Sequence, residues 1–424
     1  MATDRSDAAR IVEYQLRRKV DSLKAQLYGR AEPDKETDLL AELAATQAAL
    51  RQKQADLRRA EAARSQEDKT GLLLDTAGTT KRPGGALMSA ETTRIDAQVE
   101  LRMSHVPSGI VHLLDRQQNP LVTFKIKYTG SKFVRLRLTS SVEGYSAEAV
   151  DSVELTPKKR EVELQQLPTF FPDAVQYLTE LTRASLRIQI DDLEDVDGRS
   201  EQQSSFPIWL LARNNAPLYL LDPATGQWRD VSPYLGAWVT PNAPDVMHVL
   251  RRAAEVHPQR VIVGYQVDPD GVTAQVRAIF NALKAENITY VNSLPSFGAP
   301  EGSFIQRVRL PRESLQMQSA NCIDGTVLMC SLLEAASLNP GIVLVPGHAF
   351  LAYELQDRDP KRKVQWDYVE TTMIGSHDFD AAQRSARATA AQCQANLAKS
   401  KDPADFQILP LVDLRAVNGV TPME

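Results

Sequence analysis

The stretch Gln318-Ser319-Ala320-Asn321-Cys322-Ile323-Asp324-Gly325 opens a strongly helical run over residues 323–337. A cysteine at a helix start has a physical reason to ionise, because the free N–H groups and the helix dipole favour the thiolate and lower its pKa. Outward from it, an apolar strand over 342–345 leads into Pro346-Gly347-His348-Ala349-Phe350. A charged turn over 356–363 follows, then a second strand over 364–371 holding Trp366, Asp367 and Glu370. The order is Cys on a helix N-terminus, His on one strand and an acid on the next. These residue types supply a nucleophile, a base to take its proton and a carboxylate to orient the base. Along a strand Asp367 and Glu370 are an odd number of residues apart, so they point to opposite faces and only one can serve His348.

Three pieces of this region resemble the transglutaminase-like superfamily of cysteine peptidases and acyltransferases, a papain-like fold. They are Asn321-Cys322-Ile323-Asp324-Gly325, Pro346-Gly347-His348-Ala349-Phe350 and Trp366-Asp367-Tyr368-Val369-Glu370-Thr371-Thr372. The likeness covers residues 290–380 and does not speak for the first 215. The family's acid typically sits in a Trp-x-x-x-acid-x-Thr pattern. Glu370 occupies that place where the family more often has Asp, and Asp367 is the fallback. Where the family commonly has Trp after the His-Ala pair, this chain has Phe350. The resemblance implies catalytic roles for Cys322, His348 and Glu370. It also implies an oxyanion-stabilising Gln shortly before the cysteine, with Gln318 the first choice and Gln316 and Gln306 nearby. The backbone N–H of Cys322, at a helix start, is a natural second donor.

No cofactor is expected. Zinc held by Cys322, Cys330 and His348 is a poor alternative, since there are no close ligand pairs and the two cysteines lie eight residues apart on one helix. Cys330 and Cys393 read as small buried hydrophobes, and His105, His112, His248, His257 and His377 as structural.

Residues 1–66 are rich in Ala, Leu, Gln, Arg and Glu. Leu16, Val20, Leu23 and Leu27, and then Leu43, Leu50 and Leu57, form heptad seams on two helices broken by Gly29 and Pro33. An antiparallel helical hairpin, a coiled coil, is the expectation, and its narrow seam should seek a protein partner. Residues 67–95, with Pro83 and Gly84-Gly85, read as a linker. Over 96–215 apolar and polar residues alternate, as in Val122, Phe124, Ile126 and Tyr128 against Thr123, Lys125 and Lys127. That period predicts an antiparallel β-sandwich with a solvated charged face; residues 191–205 read as an acidic loop. From 216 the period changes, with helices over 245–256 and 272–286 and a short strand near Tyr290. The fold class is therefore multidomain α+β: hairpin 1–66, linker 67–95, sandwich 96–215 and a transglutaminase-like domain 216–424.

The chain has 424 residues, 43% of them hydrophobic and 24% charged, and a net charge of −5, values that exclude wholesale disorder. There is no Gly-rich phosphate loop, no Cys-x-x-Cys and no basic-aromatic patch, so nucleic acid is not an expected partner. Three cysteines make no disulfide framework. No stretch reaches the about 20 apolar residues that span a bilayer, and the first thirty residues are polar, so a cytoplasmic protein is expected. The combined expectation is a regulated cysteine peptidase acting on a protein amide, an architecture that would suit bacterial stress response or phage defence. The alternatives are a non-catalytic scaffold that retains the fold, or an acyltransferase or deamidase with the same triad.

Overall fold

The computed structural model describes residues 86–91, 95–194, 200–292, 305–359 and 361–423. The hairpin expected over 1–66 lies outside the described residues, as does the linker up to residue 85. The described chain is mixed α+β with several sheets.

The alternating region forms β1 (Ala86–Glu91), β2 (Ile95–Leu101), β3 (His105–Pro107), β4 (Val122–Tyr128), β5 (Val134–Val142), β6 (Ala149–Leu155), β7 (Glu161–Gln166), β8 (Thr182–Asp192) and β9 (Ser200–Leu211), with the one-turn α1 (Pro172–Val175) before β8. They build two sheets, ordered β1-β2-β4-β7 and β3-β9-β8-β5-β6. Neighbours run antiparallel except β3 on β9, which is parallel. Phe124, Ile126 and Tyr128 of one sheet and Leu136, Leu138, Leu186 and Ile188 of the other belong to one buried core. Each such side chain removed from water contributes about 1.5–3 kcal/mol. The outward faces carry cross-strand charge pairs: Lys127 opposite Glu161 at 3.6 Å and Arg135 opposite Glu154 at 3.2 Å.

Two boundaries differ from expectation. Part of the expected linker is strand β1, which pairs with β2 from Ala86 to Glu91. Of the acidic loop expected over 191–205, residues 191–192 and 200–205 are strand, and Asp191 is buried and accepts from Arg137 Nε at 3.0 Å and from Gln189 Nε2 at 2.9 Å. Pairing its charge lets β8 run on to Asp192.

Beyond residue 211 come β10 (Asn215–Pro217), the hairpin β11 (Tyr219–Asp222) and β12 (Gln227–Asp230), then α2 (Pro244–Val256) and α3 (Pro269–Ala285). Pro stands in the first turn of both helices, and the Asp268 carboxylate caps α3 by accepting from Gly271 N at 2.8 Å. Next are β13 (Thr289–Tyr290), β14 (Ile305–Arg307), α4 (Pro311–Met317), β15 (Ser319–Ala320) and α5 (Cys322–Ala335). Ile323, Val327, Leu328, Met329, Leu332 and Leu333 of α5 are all buried. A helix apolar on every side is a central one, and α2, α3 and α4 pack on it. Then follow β16 (Pro340–Val345), β17 (His348–Glu354), β18 (Trp366–Val369), α6 (Phe379–Ser400), β19 (Gln407–Pro410) and α7 (Leu411–Ala416), with a sheet ordered β18-β17-β16-β19.

The chain divides into two compact units. The larger holds both sheets of the alternating region, α2 to α5, and residues 349–389 and 408–424; the smaller includes 344–348 and 390–407. Contacts cross the expected boundary between 215 and 216. Asn215 of β10 pairs with Arg307 of β14, and Arg102 Nε donates to the Asp222 carboxylate at 2.8 Å. Among the described residues no helix is long and apolar enough to cross a membrane.

Candidate functional site

Cys322 is the first residue of α5, a helix of 14 residues. Its start is fixed by a reciprocal cap. Asn321 Oδ1 accepts from Asp324 N at 2.8 Å, and the Asp324 carboxylate accepts from Asn321 N at 3.1 Å. The short parallel pair β13–β15 delivers the chain to this cap, with Tyr290 opposite Ala320. Cys322 is half-buried, whereas Cys330 and Cys393 are buried. Burial in apolar surroundings pushes the Cys330 thiol well up, the condition of an inert cysteine.

The Cys322 carbonyl accepts two hydroxyls, from Thr326 at 2.7 Å and from Thr371 at 3.2 Å. Those two threonines lie 3.1 Å apart, oxygen to oxygen. Thr371 comes close because residue 325 is glycine: a Cβ there would stand 3.2 Å from Thr371 Cβ. On the far side of the same turn, a Cβ at Gly375 would stand 2.3 Å from Ile288 O. The turn after β18 is thus held between α5 and the segment leading into β13.

Glu370 opens that turn. The strand expected over 364–371 ends at Val369, and Glu370 caps the 3-10 turn Thr371–Met373. Its buried carboxylate accepts from Thr372 N at 3.1 Å and Thr372 Oγ1 at 2.7 Å. Asp367, the other acid, faces elsewhere. Its carboxylate is buried and accepts from Tyr353 Oη at 3.1 Å, Gln383 Nε2 at 2.9 Å, and Arg387 Nε and Nη2 at 2.7 and 2.6 Å. Bonding to Asp367 raises the Arg387 pKa, and burial followed by the Asp367 charge raises that of Tyr353. With Tyr368 N at 2.8 Å, five donors meet one carboxylate, a structural anchor between β17, β18 and α6.

His348 is the first residue of β17, half-buried, directly after the turn at Pro346 and Gly347. It closes the segment 344–348 of the smaller unit, whereas Cys322 and Glu370 belong to the larger. The structure therefore brings together the start of α5 and the turn that begins at Glu370, through Thr371. Gln318 takes a left-handed conformation (φ 49°) at the end of α4, is exposed, and its amide donates to Glu286 O at 3.0 Å. Gln316 is exposed, and Gln306 lies on β14 with its amide donating to Arg307 O at 3.3 Å.

Two residues of this site, Arg309 and Thr371, are not singled out by the sequence. Arg309 donates to the Asp324 carboxylate from its backbone N at 2.8 Å and from Nη1 at 3.1 Å. Thr371 was visible only as part of a Thr pair after the acid. Among the described residues no cluster of His, Cys, Asp and Glu is arranged to hold a metal. No family model, curated protein or solved structure matches the chain.

Proposed function

We propose that the protein is a thiol hydrolase, a cysteine peptidase acting on a protein amide, with Cys322 as nucleophile. The observation that carries this reading is the setting of Cys322: half-exposed at the first position of a doubly capped helix, with its carbonyl tied to the turn that follows Glu370. Helix N–H groups aimed at that position favour a thiolate, and the backbone N–H of Cys322 is a ready donor to a developing oxyanion. In the proposed reaction the thiolate attacks the amide carbonyl. His348 takes the thiol proton and returns it to the leaving amine, Glu370 holds the imidazole, and water resolves the thioester. The commitment of Asp367 to Arg387, Tyr353 and Gln383 supports Glu370 as the orienting acid. Residues 1–66 serve in this proposal to recruit a protein partner and not in the chemistry.

An activity-based thiol probe on the intact protein tests the chemistry. Labelling should map to Cys322, fall on His348→Ala, and fall far more on Glu370→Gln than on Asp367→Asn in variants that remain folded. Probe labelling confined to Cys330 or Cys393, or undiminished by His348→Ala, would remove the basis for the triad.

A further inference from the structure

We propose that Asp324 and Arg309 are positioning residues that set the ionisation of Cys322, a role that rests on Cys322 being the nucleophile. The Asp324 carboxylate is buried, with 1% of its side chain exposed. It sits in the first turn of α5 and gathers three donors: Asn321 N at 3.1 Å, Arg309 N at 2.8 Å and Arg309 Nη1 at 3.1 Å. Two of those contacts belong to the residue that ties the end of β14 to α4. The third belongs to the residue directly before the thiol.

A capping carboxylate alone would be a mixed gift to a cysteine beside it. Its hydrogen bonds fix the helix start, but its negative charge opposes a second negative charge on the neighbouring sulfur. The Arg309 guanidinium offsets that charge, leaving the helix N–H groups as the net field at Cys322. Burial pushes the Asp324 carboxyl up, while the two backbone N–H bonds and the Arg309 charge pull it back down.

Other titratable groups around this helix start are few. Glu313, on α4, accepts from Leu310 N at 3.0 Å and also acts on Asp324. Arg312 is its neighbour on α4, Tyr290 lies on β13, and Glu370 precedes the Thr371 that bonds the Cys322 carbonyl. The buried faces of α2 and α3 are apolar apart from Gln275.

A purely structural clamp and a charge-setting pair give different signatures. If the pair only holds the loop, removing either partner loosens the site and slows the thiol in the same direction. If it sets charge, the two removals act oppositely. Arg309→Gln removes the cation while the backbone donors to Asp324 remain, and should raise the midpoint of Cys322 alkylation against pH by about half to one unit. Asp324→Asn keeps an acceptor for the cap, leaves Arg309 uncompensated and should lower the midpoint by a similar amount. Arg309→Lys keeps the charge and should restore the wild-type midpoint, which also guards against misfolding in the Gln variant.

The experiment is iodoacetamide alkylation of the intact chain from pH 5 to 10, followed at Cys322 by peptide mass spectrometry, with thermal unfolding of each variant alongside. Opposite shifts for Arg309→Gln and Asp324→Asn support the pair as charge-setting. Shifts of the same sign, or none, overturn it even where wild-type Cys322 is reactive. An ordinary midpoint at wild-type Cys322 strikes the proposed function instead, and opposite shifts on that background would support only the pair's electrostatic effect on the thiol.

Discussion

Apart from the buried Asp191 and Asp192 that end β8, the two-sheet region and the region from α2 onward place their charges differently. In the sheets, Lys127–Glu161, Arg135–Glu154 and Arg187–Glu143 sit on outward faces, each partner at least 46% exposed. From α2 onward, by contrast, Asp324, Asp367 and Glu370 are buried and bound by the donors given above, and buried Glu354 accepts from Asn339 Nδ2 at 2.9 Å and Arg358 Nε at 2.7 Å. Surface pairs gain little, because water already solvates both partners. Buried carboxylates must be matched atom by atom, since an unmatched one costs several kcal/mol.

The sharpest way to break the contrast is Asp367→Ala. It removes the shared acceptor of Tyr353, Gln383 and Arg387, and should cost about 3 kcal/mol in urea unfolding. A loss under about 1 kcal/mol would make this network equivalent to a surface pair. Next in size is Gly375→Ala. A Cβ there meets a backbone oxygen at 2.3 Å, which cannot rotate away, so about 1–3 kcal/mol of destabilisation is expected. An unchanged unfolding midpoint would show that the turn after Glu370 has room to move.

A smaller effect belongs to the sheets and appears with pH. Burial lowers His105, stacked on Trp209 with centroids 6.5 Å apart, to about 4. Between that value and its ordinary one near about 6.5, the unfolded chain binds a proton that the folded chain refuses. This contribution to stability is therefore complete above pH about 6.5 and declines as the pH falls toward 4. His105→Gln should flatten that part of the stability profile relative to wild type; identical slopes would show that His105 titrates normally. Smallest of all, Lys127→Ala should change stability by less than about 0.5 kcal/mol. A larger loss would mean the sheet faces are not the solvated surfaces that their alternation suggests.

The same contrast explains what was legible in the sequence. Alternation such as Val122-Thr123-Phe124-Lys125-Ile126-Lys127-Tyr128 is a local signal, and β4 spans those residues. The helices at 245–256 and 272–286 were also visible. Their starts lie earlier, at Pro244 and Pro269, because Pro in the first turn of each, and the Asp268 cap of the second, set the helix start before the apolar period begins. The strand over 364–371 was read too long, since Glu370 bonds Thr372 and turns the chain. The limit of Asp191 as a loop residue was of the same kind: its partner, Arg137, lies 54 residues away. Arg309, Arg387 and Gln383 were invisible for this reason, as each acts on a carboxylate that no periodicity connects to it. Cys322, His348 and Glu370 stand in the sequence as an order of residue types; the donors to Asp324 and Asp367 leave no such trace.

The central claim is that Cys322 is unlike the chain's other two cysteines, and the rate of its alkylation against pH in the folded protein tests it most directly. The expected midpoint for Cys322 lies at least about one unit below the usual thiol value near about 8.5, with Cys330 and Cys393 unmodified until the protein unfolds. An ordinary midpoint at Cys322, or equal rates at all three cysteines, would contradict it.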